Sequence, residues 1–135
     1  GADIAAMESE LAALPVPLVI DHLGRVSPDP EAGRAALLSV LRLLGTGRTW
    51  VKLSGAYISS AAGPPEYADL VPIARRYVEA APERLVWGSD WPHRGQGAHW
   101  PDDARLADLL LDWAPDPASR RAILVDNPAR LYGFD

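Results

Sequence analysis

Apolar side chains at Ile4, Met7, Leu11 and Leu14 recur at helical spacing with acidic residues between them, predicting a helix over residues 3–14 that Pro15 and Pro17 close. Leu18 to Ile20 follow as a run apolar on both faces, ending in Asp21 and His22, and predict a covered strand of a parallel sheet. A second helix is announced by Asp29 as cap, Pro30 in the first turn and Glu31 near the positive end of the dipole. Its buried stripe is Ala36, Leu37, Val40, Leu41 and Leu44, and Gly45 is its stop. TWVKLSG at 49–55 predicts a second strand. Pro64, Pro65 and Glu66 open a third helix, with Leu70, Ile73, Ala74, Tyr77 and Val78 on one side and Pro82 at its end. A third strand is predicted over 84–88 and a helix over 102–113. Asp116 with Pro117 starts a short helix, and Asn127 with Pro128 starts a last turn through Leu131.

Helices and strands alternate at the spacing of right-handed crossover units, so the fold class is α/β with parallel βα units in one domain, residues 1–135. Only three strands are legible. A closed (β/α)8 barrel takes eight strands and about 250 residues, so the chain reads as part of such a barrel, incomplete by itself.

Composition narrows the partners. A hydrophobic share of 48% is enough to build a core, while a formal charge of −5 works against binding nucleic acid or an anionic membrane. The absence of cysteine removes disulfides, thiolate chemistry and cysteine-bound metal centres. No apolar run is long enough to span a bilayer, and the acidic start GADIAAMESELAAL lacks a signal core, so a cytoplasmic location is expected.

Each predicted strand delivers polar residues at its C-terminal end: Asp21 and His22, Lys52 and Ser54, then Ser89 and Asp90. Ligands bind at that edge in parallel α/β folds, although polar residues there also serve as caps and turns. His22 has the chemistry of a general base or a metal ligand. Asp90 stands between Trp87 and Trp91, two rings placed to keep water from a carboxylate. His93 and His99 fall in a glycine-rich loop suited to binding. Lys52 has the reach to meet a substrate anion or carbonyl, and Arg25 to meet an anionic substrate.

VIDHLGR (19–25), WVKLSG (50–55), RLVWGSDWPH (84–93) and NPARLYGF (127–134) resemble, in order and distance, the C-terminal half of the amidohydrolase superfamily. The likeness is to its amidohydrolase 2 branch, which includes 2-pyrone-4,6-dicarboxylate lactonase and related TIM-barrel metal-dependent hydrolases. The resemblance implies that the three strands correspond to barrel strands six to eight and that the activity is hydrolysis of a lactone, ester or amide. It implies that Asp90 accepts a proton from the attacking water and that His22 polarises the carbonyl. Both would bind metal in metal-using members, and the resemblance is compatible equally with a divalent ion such as zinc and with none. It places His93 in a loop shaped for substrate contact. An arginine that grips a substrate carboxylate in such relatives falls near Tyr57 or Ile58 here, so Tyr57 joins Lys52 and Arg25 as a substrate-side candidate. The expected partners are a small-molecule substrate and either a second copy or a complementary half-barrel chain. The competing expectation is a catalytically inactive fragment with a structural or interaction role.

Overall fold

A computed structural model describes residues 1–97 and 100–134. The elements in chain order are α1 (Ala2–Ala6), α2 (Glu8–Ala12), β1 (Leu18–Ile20), α3 (Arg34–Gly45), β2 (Thr49–Leu53), α4 (Ala56–Ser59), α5 (Val71–Ala80), β3 (Leu85–Trp87), α6 (Asp103–Trp113), α7 (Pro117–Arg121) and α8 (Asn127–Tyr132). The strands form one parallel sheet in the order β1–β2–β3. Ile20 stands opposite Val51, Val51 opposite Leu85, and Leu53 opposite Trp87.

The core lies between the sheet and α3, α5 and α6. Val40, Leu43 and Leu44 of α3, Val51 and Leu53 of β2, Ile73 and Tyr77 of α5, and Leu110 and Trp113 of α6 all belong to one buried cluster. Side chains alternate across β2, as the period of a strand requires: Val51 and Leu53 join that cluster, whereas Trp50 lies outside it. The guanidinium groups of Arg84 and Arg130 stand over the Trp50 ring at 5.0 and 5.1 Å.

Element starts differ from the sequence expectation for local reasons. The predicted first helix is two short ones broken at Met7, which is half exposed, while Ile4 and Leu11 of the expected apolar face pack half-buried against the core. Asp29 does cap backbone amides, those of Glu31 and Ala32, but it closes a turn. Helix α3 begins at Arg34, after Gly33, and ends at Gly45 as expected. Its buried stripe is Ala36, Ser39, Val40, Leu43 and Leu44, while Leu37 and Leu41 are half-buried. Likewise Pro64, Pro65 and Glu66 form a turn, and α5 begins at Val71. Asp102 and Asp116 cap α6 and α7 as their positions suggest.

Asn127 ties the C-terminal helix to the sheet. Its Nδ2 donates to the carbonyls of Pro82 and Leu85 at 2.8 and 2.7 Å, and its side chain is buried. Replacing Asn127 with alanine removes both donors and leaves buried acceptors without partners. The expected loss is about 2–3 kcal/mol of unfolding free energy, read as a lower urea midpoint at unchanged m-value.

Candidate active site

Parallel register places the three strand exits side by side. After β1 the chain enters a tight turn in which His22, Leu23 and Arg25 all have positive φ, at 54°, 51° and 48°. Side chains seldom adopt that backbone region, and residues held there by their surroundings concentrate at functional sites. Leu23 and Gly24 are buried beneath the turn and hold it, and Tyr77 donates to the Leu23 carbonyl at 3.2 Å. Asp90 and His93 also have positive φ, at 67° and 52°.

The turn presents His22 above β2. Its Nδ1 lies 3.0 Å from Ser54 Oγ and 3.9 Å from Asp90 Oδ2. Gly55 makes this approach feasible. A Cβ at that position would come within 2.8 Å of His22 Nδ1, and its φ of +59° favours glycine independently. The SG of WVKLSG is therefore the seat of the His22 ring.

Tyr57, on α4, donates from its hydroxyl to Asp90 Oδ2 at 2.6 Å, and the same oxygen lies 3.1 Å from His93 Nδ1. His93 Nε2 lies 3.0 Å from Asp103 Oδ1 at the start of α6. Burial, the hydrogen bond to Asp90 and the Asp90 charge all push the Tyr57 pKa well above the ordinary tyrosine value. The phenol keeps its proton.

His22, Arg25, Ile58, Asp90, Trp91, Pro92 and Arg94 line a hollow of about 330 Å³. A larger groove of about 710 Å³ lies elsewhere, between α3 and α5, and contains none of the strand-exit groups. The strand-exit groups His22 and Asp90 face the smaller one. Arg25 and Arg94 bring two positive charges beside the one carboxylate, Asp90, which suits an anionic guest.

The structure brings His22, Arg25 and Asp90 together and connects Tyr57 to them. It places two candidates differently from the sequence expectation. His93 is buried, at 2% exposure, with both ring nitrogens engaged, and it stands behind Tyr57, outside the lining of the hollow. Lys52 is held by Asp21, Nζ to Oδ1 2.6 Å, so its ammonium is already paired. Burial works against the charged lysine. The hydrogen bond and charge of Asp21, with the fields of Tyr132 and Asp90, outweigh it and raise its pKa. Trp91 is 72% exposed and does not shield Asp90, because the turn carries its ring outward. His99 lies outside the described residues. Arg94 and Asp103 escaped sequence reasoning, although Arg94 directly follows the DWPH block.

A metal site tests poorly against these residues. Among the described residues no group of three or more His, Asp or Glu side chains is placed to hold a metal ion. His22 and Asp90 give two donors, where an open catalytic zinc site takes three from protein. The described residues do not by themselves fit a metal. Nor is any helix among the described residues long and apolar enough to cross a membrane.

The sequence profile of the amidohydrolase family Amidohydro_2 matches residues 2–134. The chain is 43% identical over 132 residues to a 4-sulfomuconolactone hydrolase of Hydrogenophaga intermedia, covering 96% of this chain and 43% of the relative. It is 38% identical over 142 residues to a 2-pyrone-4,6-dicarboxylate hydrolase of Comamonas testosteroni, covering 96% of this chain and 45% of the relative. The apo crystal structure of an Agrobacterium tumefaciens protein superposes with a TM-score of 0.84 at 36% identity, over 100% of this chain and 48% of that one. The chain thus spans about half the length of the relatives it matches. It belongs to the amidohydrolase family.

The Lys52–Asp21 pair has a definite pH signature. Because the folded pKa of Lys52 is raised, its contribution to stability is complete below the unfolded lysine pKa and is lost as pH rises through the folded one. An NMR titration of the Lys52 side chain should give a midpoint above the ordinary lysine range, and Asp21→Asn should bring it down.

Proposed function

We propose that this amidohydrolase-family chain is the part of a (β/α)8 barrel holding strands six to eight, and that it hydrolyses the ester bond of an anionic lactone when the rest of the barrel is present. The observation that carries the reading is the approach of His22 Nδ1 to Asp90 Oδ2, 3.9 Å, at the mouth of a hollow flanked by Arg25 and Arg94.

In this reading Asp90 is the general base. Tyr57 and His22 both approach Oδ2, so Oδ1 is the oxygen that takes the proton of the attacking water. We assign Ser54 Oγ as the donor to His22 Nδ1, which puts the ring hydrogen on Nε2. That N–H donates to the carbonyl oxygen and steadies the negative charge that develops there. Asp90 then returns its proton to the alkoxide as the ring opens, and the products are a hydroxyl and a carboxylate. Arg25 and Arg94 hold the anionic substituent of the substrate. Two relatives carry names of hydrolases acting on anionic lactones, which supports the same substrate class. No step is assigned to a metal.

The remaining strands come from the rest of a longer polypeptide or from a complementary chain. Among the described residues β1 and β3 each pair on one side only, leaving open edges that a complementary half-barrel chain would close. Val16, Leu124, Val125 and Phe134 are exposed apolar side chains available to such an assembly.

Turnover of anionic lactones by the assembled particle tests the proposal, with particle mass followed by native mass spectrometry. Asp90→Asn should lower kcat by about 10²–10⁴-fold without dissociating the particle. Arg94→Gln should raise KM for anionic lactones and leave KM for neutral ones unchanged. Full activity in the Asp90→Asn particle would sink the reading.

A further inference from the structure

The groove of about 710 Å³ between α3 and α5 shares no residue with the hollow that holds His22 and Asp90. α3 connects β1 to β2 and α5 connects β2 to β3, so the groove lies over the central strand of the sheet. α1 packs on the other flank of α3, and α6 on the other flank of α5, which makes α3 and α5 the inner pair of a row. Strands added at either open edge extend the sheet beyond that row and leave the groove uncovered.

Apolar side chains make up much of its wall. Val26 and Ile73, both buried, line it together with Leu37, Leu38, Val71 and Pro72, and Leu38 is 39% exposed. Arg34, Arg75 and Arg76 join this lining. Among the described residues none of the three is in an ion pair. Their guanidinium groups make one hydrogen bond there, from Arg75 Nε to the Asp112 carbonyl at 2.8 Å.

Three carboxylates also face the groove and balance its formal charge, but two are committed. Asp29 accepts from the amides of Glu31 and Ala32, and Asp69 accepts from Ser60 Oγ and the amides of Ala61 and Ala62. Glu79 alone of the three has no such partner among the described residues. The unused hydrogen-bonding capacity of the groove is therefore mostly donor capacity. An apolar surface carrying unpaired guanidinium donors is matched by a guest with an apolar body and a carboxylate head.

We propose that the α3–α5 groove binds a small amphiphilic carboxylate, with its apolar chain against Leu37, Leu38, Val71 and Ile73 and its head on Arg34 and Arg76. The volume is that of a small-molecule site, roughly 300–1,000 Å³. On α3 the lining runs only from Arg34 to Leu38, about one and a half turns, too short a trough for a partner helix anchored at i, i+3, i+4 and i+7. On α5 it runs from Val71 to Glu79, about 13 Å of helix, which suits an acyl chain of medium length. The proposal is independent of the hydrolysis reading.

Methyl NMR of the 135-residue chain titrated with decanoate tests it without reference to turnover. Signals of Leu37, Leu38, Val71 and Ile73 should shift and saturate, while those of Val16, Leu124 and Val125, on exposed apolar surface elsewhere, should stay in place. Decanol, with the same chain and no charge, should bind roughly tenfold more weakly. Arg34→Gln combined with Arg76→Gln should weaken decanoate roughly tenfold and leave decanol unchanged, with the amide spectrum showing an intact fold. Absence of a saturable shift at the four groove residues would overturn the proposal, whether or not signals move elsewhere. Equal affinity for decanoate and decanol would do the same, as would decanoate binding unaltered in the double variant.

Discussion

Register in the parallel ladder decides where every exit of this sheet falls. Ile20 pairs with Val51 and Leu53 with Trp87, so the residues just past β1, β2 and β3 emerge over one patch of the molecule. Backbone hydrogen bonds fix this alignment to within a residue, and a slip of one would turn each side chain to the opposite face. His22, Ser54 and Asp90 are far apart in sequence, and the ladder makes them neighbours. The core reinforces it: Val51, Leu53 and Leu85 are fully buried, so the strands cannot slide without exposing them.

Above the ladder the polar residues are held by unfavourable backbone made tolerable by packing. Positive φ at His22, Leu23, Arg25, Asp90 and His93 carries a cost of order 1–3 kcal/mol each when the residue is not glycine. Buried Leu23 and Gly24 keep the first turn from relaxing, and the bonds from Tyr57 and Asp103 hold the second. Gly55 completes the geometry by absence, since any Cβ there would meet the His22 ring.

The hollow is shallow in chemistry and specific in charge. One carboxylate, one imidazole and two guanidinium groups face it, while further charges, Asp21 with Lys52 and Asp103 with His93, are paired around it. On the proposed reading, this division keeps His22 and Asp90 for the chemistry and leaves the arginines to hold the anion. Among the described residues it leaves His22 and Asp90 as the candidate metal donors, since Lys52 with Asp21 and His93 with Asp103 are committed to one another.

The sequence by itself determined the alternation of helix and strand, the three strand exits and the helix start at Asp116. Each rests on local rules: apolar runs of a few residues, a capping side chain beside free amides, a glycine or proline where the chain turns. Position at the strand exits marked His22, Ser54 and Asp90, and the likeness of the VIDHLGR, WVKLSG and DWPH blocks to the amidohydrolases marked His22 and Asp90. The short α4 carried no periodicity to read, being four residues long, and with it the link from Tyr57 to Asp90 was invisible. Asp29 and Glu66 looked like helix starts because a turn and a helix use the same capped amides. Only the tertiary structure decided that His93 is buried and doubly bonded, that Lys52 is spent on Asp21, and that Trp91 points to solvent. Those outcomes depend on contacts between residues distant in sequence, up to 36 positions in the case of Tyr57 and His93, and spacing along a chain does not encode which side chains meet across it.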